Sequence, residues 1–194
     1  MKAYLDSNIL IDYVWSNILT KTPKRKNNSV FNLFNAVDNE LFEPVISNFS
    51  LMEVARHLKD YFLLLKVIKD GFGYREFSRV KINYSVDPRN EKKVDNIIKD
   101  LEQDERFSYL KVTNLEPAAF GNIELYIAGY IDFIDAFHLQ IALSENCDFL
   151  LTKDEEFRSR YVTLTERGLL KIQTKVSRID EFLQLLKQNA KRQN

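Results

Sequence analysis

The sequence predicts an α/β fold, a three-layer α/β/α domain around a short, mostly parallel central sheet. Three observations predict it. Short apolar runs alternate along the chain with longer stretches of helical spacing, the order expected of a parallel sheet with helices on both faces. Several of these runs lead directly into acidic residues, as in Lys2-Ala3-Tyr4-Leu5-Asp6 and Phe149-Leu150-Leu151-Thr152-Lys153-Asp154. Hydrophobic residues make up 45% of the 194, with 14 Phe and 9 Tyr, which is enough to build a core and argues against disorder.

The elements follow in order. Residues 2–5 read as a short buried strand, and Ser7 can cap a helix beginning near Asn8. Pro23 and Asn27-Asn28-Ser29 mark a loop, with Ser29 placed to cap a helix over about 30–37. Pro44-Val45-Ile46 is the second strand. From Asn48 a helical pattern runs past Glu53 to Ile68, as one helix or two, and stops at Gly71 and Gly73. Residues 74–87 have no clear period. Asp87-Pro88 favours a turn, and from Glu91 to Phe107 the spacing of Val94, Ile97, Ile98 and Leu101 predicts a helix with charges on its other face. Residues 109–112 form a candidate strand. Pro117 starts a helix to about Gly129, with Phe120, Ile123, Leu125 and Ile127 packing. The next helix spans about 132–145, and strand Phe149-Leu150-Leu151 follows a turn at Asn146. Residues 168–172 read as the final strand. Ser177 is placed to cap a last amphipathic helix with Ile179, Phe182, Leu183 and Leu186 inward. There is no internal repeat and no low-complexity segment.

Composition removes several function classes. No apolar run reaches membrane-spanning length, and the amino terminus has no charged region followed by an apolar signal core, so a cytoplasmic protein with no membrane role is expected. The single cysteine, Cys147, excludes an internal disulfide and is expected to be a packed, inert thiol. With only His57 and His138, a histidine-rich zinc site is not expected, and His138 reads as a packed helix residue. Basic and acidic residues balance at 28 each, which is not the basic footprint of a general nucleic-acid binder. Locally basic stretches at 21–26 and 187–192 can touch phosphates, although a solvated loop and tail account for them as well. Tyr13, Trp15 and Tyr130 offer faces for base stacking, against a default of core packing.

Four acids carry the chemistry: Asp6, Glu53, Asp135 and Asp154. Each stands at an element end or inside an apolar stretch, and active sites of open α/β sheets lie beyond the carboxyl ends of the strands. Carboxylates gathered there raise one another's pKa, and a divalent cation resolves the repulsion. Oxygen ligation selects a hard ion, Mg²⁺ or Mn²⁺. One such ion, or two dividing the work, supplies what phosphodiester hydrolysis needs. Other catalytic signatures are missing from the chain: there is no glycine-rich phosphate loop, no Gly-x-Ser-x-Gly elbow and no Cys–His pair at a telling spacing. Ser7, Asn8 and Thr152 are placed to hydrogen-bond ligating carboxylates. Asp132, one helical turn before Asp135, is expected to cap that helix or to support the site.

At these residues the chain resembles the PIN-domain nucleases. The segments AYLDSNILIDYV, ISNFSLMEVARHL and IDAFHLQIALSENCDFLLTKDEEF appear in the order of that family. The resemblance covers roughly the first 60 residues and 131–157, so the chain is expected to be one PIN-like domain over 1–194 with a mostly helical insertion around 71–116. It implies an endoribonuclease using Mg²⁺ or Mn²⁺, with Asp6, Glu53, Asp135 and Asp154 as metal ligands and products bearing a 5′-phosphate and a 3′-hydroxyl. Small bacterial members are commonly toxins held inactive by an antitoxin, which implies RNA as substrate and an antitoxin protein and a second copy of the chain as partners. Two other functions fit the same residues: a non-catalytic module that binds RNA or a protein, and a metal-dependent DNA nuclease or phosphatase.

Overall fold

The computed structural model describes residues 1–19, 29–112, 131–170 and 172–193. Five strands form one sheet of order β3-β2-β1-β4-β5: β1 (Lys2–Leu5), β2 (Glu43–Ser47), β3 (Ser108–Leu110), β4 (Phe149–Leu151) and β5 (Lys175–Ser177). Every pairing is parallel, with Tyr4 opposite Val45 of β2 on one side and Leu150 of β4 on the other. The central position of β1 fits its sequence, since Ala3, Tyr4 and Leu5 are fully buried. Pro44 is tolerated in an interior strand for a geometric reason. The neighbouring Glu43 N–H donates to Met1 O on the β1 side, so Pro44 faces the β3 side, where pairing starts only at Val45.

The eight α-helices among the described residues are α1 (Ser7–Val14), α2 (Ser29–Asp38), α3 (Asn48–Lys69), α4 (Phe77–Val80), α5 (Pro88–Glu102), α6 (Phe133–Ser144), α7 (Glu155–Glu166) and α8 (Ile179–Gln193). Strand alternation divides the core into two layers. Ala3, Leu5, Ile46, Phe149 and Leu151 pack against α1, α2, α3, α5 and α8. Tyr4, Val45, Leu150 and Val176 pack against α6 and α7. The result is the expected three-layer α/β/α sandwich.

The pattern from Asn48 to Ile68 is one 22-residue helix, with Ser47 Oγ accepting from the Ser50 N–H at its start. α5 begins earlier than its apolar spacing suggests, because Pro88 occupies the first turn and the Asp87 carboxylate caps the Asn90 N–H at 3.0 Å. Its apolar face is covered, with Val94, Ile97 and Leu101 buried in the core shared with α3. The strand expected at 109–112 is Ser108–Leu110, on the edge of the central sheet.

The final strand is displaced from its expected place. Residues 168–170 form no strand; Gly168, at φ +68°, turns the chain out of α7, and Leu169 is exposed. The strand is Lys175–Ser177, where Val176 is buried. α7 has no counterpart among the expected elements. Its buried residues, Phe157, Tyr161 and Leu164, are spaced for a helix but sit among charged and β-branched neighbours. The helix expected from Pro117, Tyr130 and the basic stretch at 21–26 lie outside the described residues. Cys147 is buried, and burial pushes its thiol up to about 12, which agrees with an inert packed thiol. Among the described residues no helix is long and apolar enough to cross a membrane.

Candidate active site

Parallel pairing puts the carboxyl ends of all five strands on one edge. Each predicted acid reaches that edge on a different element. Asp6 directly follows β1, and its backbone N–H donates to Leu151 O of β4 at 3.1 Å. Glu53 stands in the second turn of α3, which starts where β2 ends without a loop. Asp135 lies in the first turn of α6. Asp154 follows β4 and begins α7.

Asp6 is the most constrained of the four, with 4% of its surface exposed. Its Oδ2 accepts from Thr152 Oγ1 at 2.6 Å and from Asn8 Nδ2 at 2.7 Å, and its Oδ1 accepts from Ser7 Oγ at 3.3 Å. All three neutral residues expected to bond a ligating carboxylate therefore reach this one. Asn8 also donates to Thr152 Oγ1 at 3.0 Å and accepts from the Lys153 N–H at 3.1 Å. Thr152 Oγ1 accepts from the Asp154 N–H at 3.0 Å. The β1 and β4 ends are thus tied together by short polar bonds, and Oδ1 of Asp6 is left as the less occupied oxygen.

Oδ1 faces His138, for which the sequence pattern suggests only a packing role. His138, 1% exposed, places Nε2 at 2.6 Å from Glu53 Oε2 and 3.4 Å from Asp6 Oδ1. Burial alone would lower the His138 pKa, but the hydrogen bond to Glu53 and the charges of Asp6, Glu53 and Asp135 outweigh it, and the net shift is upward. Glu53 responds in the matching sense. Burial raises its pKa, while His138, Ser7 and Arg56 together hold it below the usual carboxylate range. A signal for His138 is present in the chain: it lies three residues after Asp135, on nearly the same helical face.

Asp135 carries the site's strain in charge. Burial raises its pKa first, the charges of Asp154, Asp6 and Asp132 raise it further, and His138 offsets this only in part, so it is pushed up to about 7. Asp135 is therefore within electrostatic reach of both Asp6 and Asp154. Asp154 has a second task, since its carboxylate caps α7 through the Phe157 N–H at 2.9 Å. Asp132 is exposed and caps α6, accepting from the Ile134 N–H at 2.9 Å. The aromatics Tyr13 and Trp15 are engaged in packing. Tyr13 stacks on Phe34 with ring centres 3.9 Å apart, and Trp15 meets Tyr61 edge-on at 4.4 Å.

Of the four predicted acids, Asp6 and Glu53 come together with His138 closely enough to share a cation, and among the described residues Asp135 and Asp154 are not part of that group. One ligand atom each from Asp6, Glu53 and His138 lies within 4.8 Å of the others. The pKa of Asp135 is raised first by burial and then by the charges of Asp154, Asp6 and Asp132, which a cation at this edge would offset.

A model of the PIN domain matches residues 3–162 of the chain, which takes in Asp6, Glu53, Asp135 and Asp154. The chain belongs to the PIN domain family. Among solved structures, the crystal structure of VapBC2 from Rickettsia felis bound to a DNA fragment from their promoter is similar to this PIN domain at a TM-score of 0.47 and 15% identity, covering 92% of this chain and 98% of that one. No curated protein matches the sequence. PIN domains are generally metal-dependent nucleases, which makes this chain a nuclease by family.

Proposed function

We propose that this PIN domain is an Mg²⁺- or Mn²⁺-dependent endoribonuclease whose metal ligands are Asp6, Glu53, Asp135 and Asp154. The observation that supports the reading is geometric: one ligand atom each from Asp6, Glu53 and His138 lies within 4.8 Å of the others at the carboxyl edge of the sheet, where burial and the charges of Asp154 and Asp6 also raise the pKa of Asp135. A divalent ion held there supplies water activation and charge compensation at the leaving oxygen. The chain's own residues do the positioning. Thr152 and Asn8 fix Oδ2 of Asp6 and so aim Oδ1 into the site. Asp154 is held by its cap, and Asp135 stands in the first turn of α6.

RNA as the substrate and an antitoxin protein as the partner follow from the sequence's family resemblance. The four acids present a complete carboxylate set, which supports catalysis over a binding-only module. The test is incubation of the purified chain with matched single-stranded RNA and DNA, with Mn²⁺ and with chelator. Internal cleavage of RNA only with Mn²⁺, leaving 5′-phosphates, supports the reading. Cleavage of DNA alone, or of neither, refutes it.

A further inference from the structure

The PIN-domain acids account for the cation, but not for the buried polar chain behind them. His138 bonds Glu53 through Nε2 and uses Nδ1 on the other side of the ring, 2.9 Å from the Tyr4 hydroxyl. Tyr4 is fully buried on the central strand, and its hydroxyl lies 2.8 Å from Ser47 Oγ and 2.8 Å from Ser50 Oγ. The chain begins at the end of β2, crosses β1 and ends on a carboxylate at the site. Such a buried network is costly unless every member is satisfied, and here every member is.

Glu53 needs such support. Asp6, Asp135 and Asp154 stand at a strand end or in the first turn or cap of a helix, whereas Glu53 reaches in from the second turn of α3 on a longer side chain. About a fifth of it, 20%, is open to solvent. Among the described residues, no backbone group is bonded to its carboxylate. What restrains it is His138, assisted by Ser7.

We propose that His138 is a positioning residue for Glu53, and that Tyr4 fixes the His138 ring so that Nε2 carries the hydrogen toward that carboxylate. In this arrangement the Nε2–H donates to Glu53 Oε2, while Nδ1 is held by the Tyr4 hydroxyl, itself bonded to the Ser47 and Ser50 hydroxyls. Tyr4 acts on the metal site without touching it. The inference rests on the proposed metal-dependent reading of the acidic edge.

Side-chain geometry gives a sharp test. A glutamine amide nitrogen reaches where Nε2 stands, and an asparagine amide nitrogen only where Nδ1 stands. Mn²⁺ binding to the whole chain, measured by calorimetry with thermal unfolding in parallel, is compared for wild type, His138→Gln, His138→Asn and Tyr4→Phe. We expect His138→Gln to bind nearly as wild type and His138→Asn about 10–100-fold more weakly, the usual effect of losing a ligand's hydrogen-bond partner. Tyr4→Phe, which keeps the ring in the core, falls between them and carries the test should His138→Asn unfold. Equal Mn²⁺ affinity in wild type and Tyr4→Phe, or in His138→Gln and His138→Asn, overturns the inference while leaving the metal site standing. No Mn²⁺ binding by wild type overturns the metal reading itself, and the inference with it.

Discussion

Replacing Asp135 with asparagine should stabilise the metal-free protein at neutral and alkaline pH. The sign follows from the direction of its shift. The folded-state pKa is raised above the unfolded value, so the folded chain holds the proton more tightly. Below about pH 4 both states are protonated and the group is neutral in its effect. As pH rises toward 7 the unfolded chain loses the proton first, and the folded state is progressively penalised. Above 7 the penalty is complete. The rise from 3.8 to about 7, at about 1.4 kcal/mol per pH unit, sets a ceiling of about 4 kcal/mol. Asp135 is partly open to solvent, so screening reduces this to about 1–2 kcal/mol. For a chain of this size that is an unfolding temperature higher by about 3–6 °C. Asparagine keeps the shape of the neutral acid, so the two proteins should melt alike near pH 3 and diverge progressively to pH 8. The assay is thermal or urea unfolding of both in chelator across that range. A variant less stable than wild type at pH 8, or a difference that does not change with pH, would refute the reasoning.

Asp6→Asn should abolish cleavage while the fold survives, because Oδ1 loses its charge and the cap-like contacts from Asn8 and Thr152 can be kept by the remaining carbonyl oxygen; activity together with circular dichroism checks this. Thr152→Val, nearly isosteric, removes the 2.6 Å bond to Asp6 and the acceptor of the Asp154 N–H. It should cost about 1–3 kcal/mol in urea unfolding and weaken Mn²⁺ binding about 10–100-fold. We propose that the described part of the expected insertion, 71–112, is packed on the nuclease core, since α5 buries Val94, Ile97 and Leu101 and β3 pairs with β2. Limited proteolysis should then leave 74–107 resistant, and rapid nicking throughout it would show a mobile appendage instead.

What is legible in the sequence is local. Asp6 can be read because a buried strand stops on it, and Asp132 and Asp135 can be separated because a helix cap and a first-turn acid have different spacing. The long helix α3 is legible from its period, although the chain alone leaves open whether it is one helix or two. β5 is not legible: in Lys175-Val176-Ser177 only one residue is apolar, and its strand character comes from pairing with β4. The nearby Leu169-Leu170 looks more strand-like, yet Leu169 is 61% exposed. His138 looks like a lone histidine on an apolar helix. Its spacing from Asp135 hints that it faces the site, but its partners there, Glu53 and Tyr4, are 85 and 134 positions away. Tyr4 itself shares a strand face with Asp6 by the two-residue period, but nothing in the chain announces the two serines that complete its hydroxyl's bonds.

The central claim is that the acidic edge is a cation site, and anomalous diffraction from crystals grown with Mn²⁺ tests it most directly. One or two anomalous peaks are expected, bounded by Asp6, Glu53, Asp135 and Asp154, and lost in Asp6→Asn. Peaks confined to other surfaces of the protein, with the edge empty at saturating Mn²⁺, would contradict the claim.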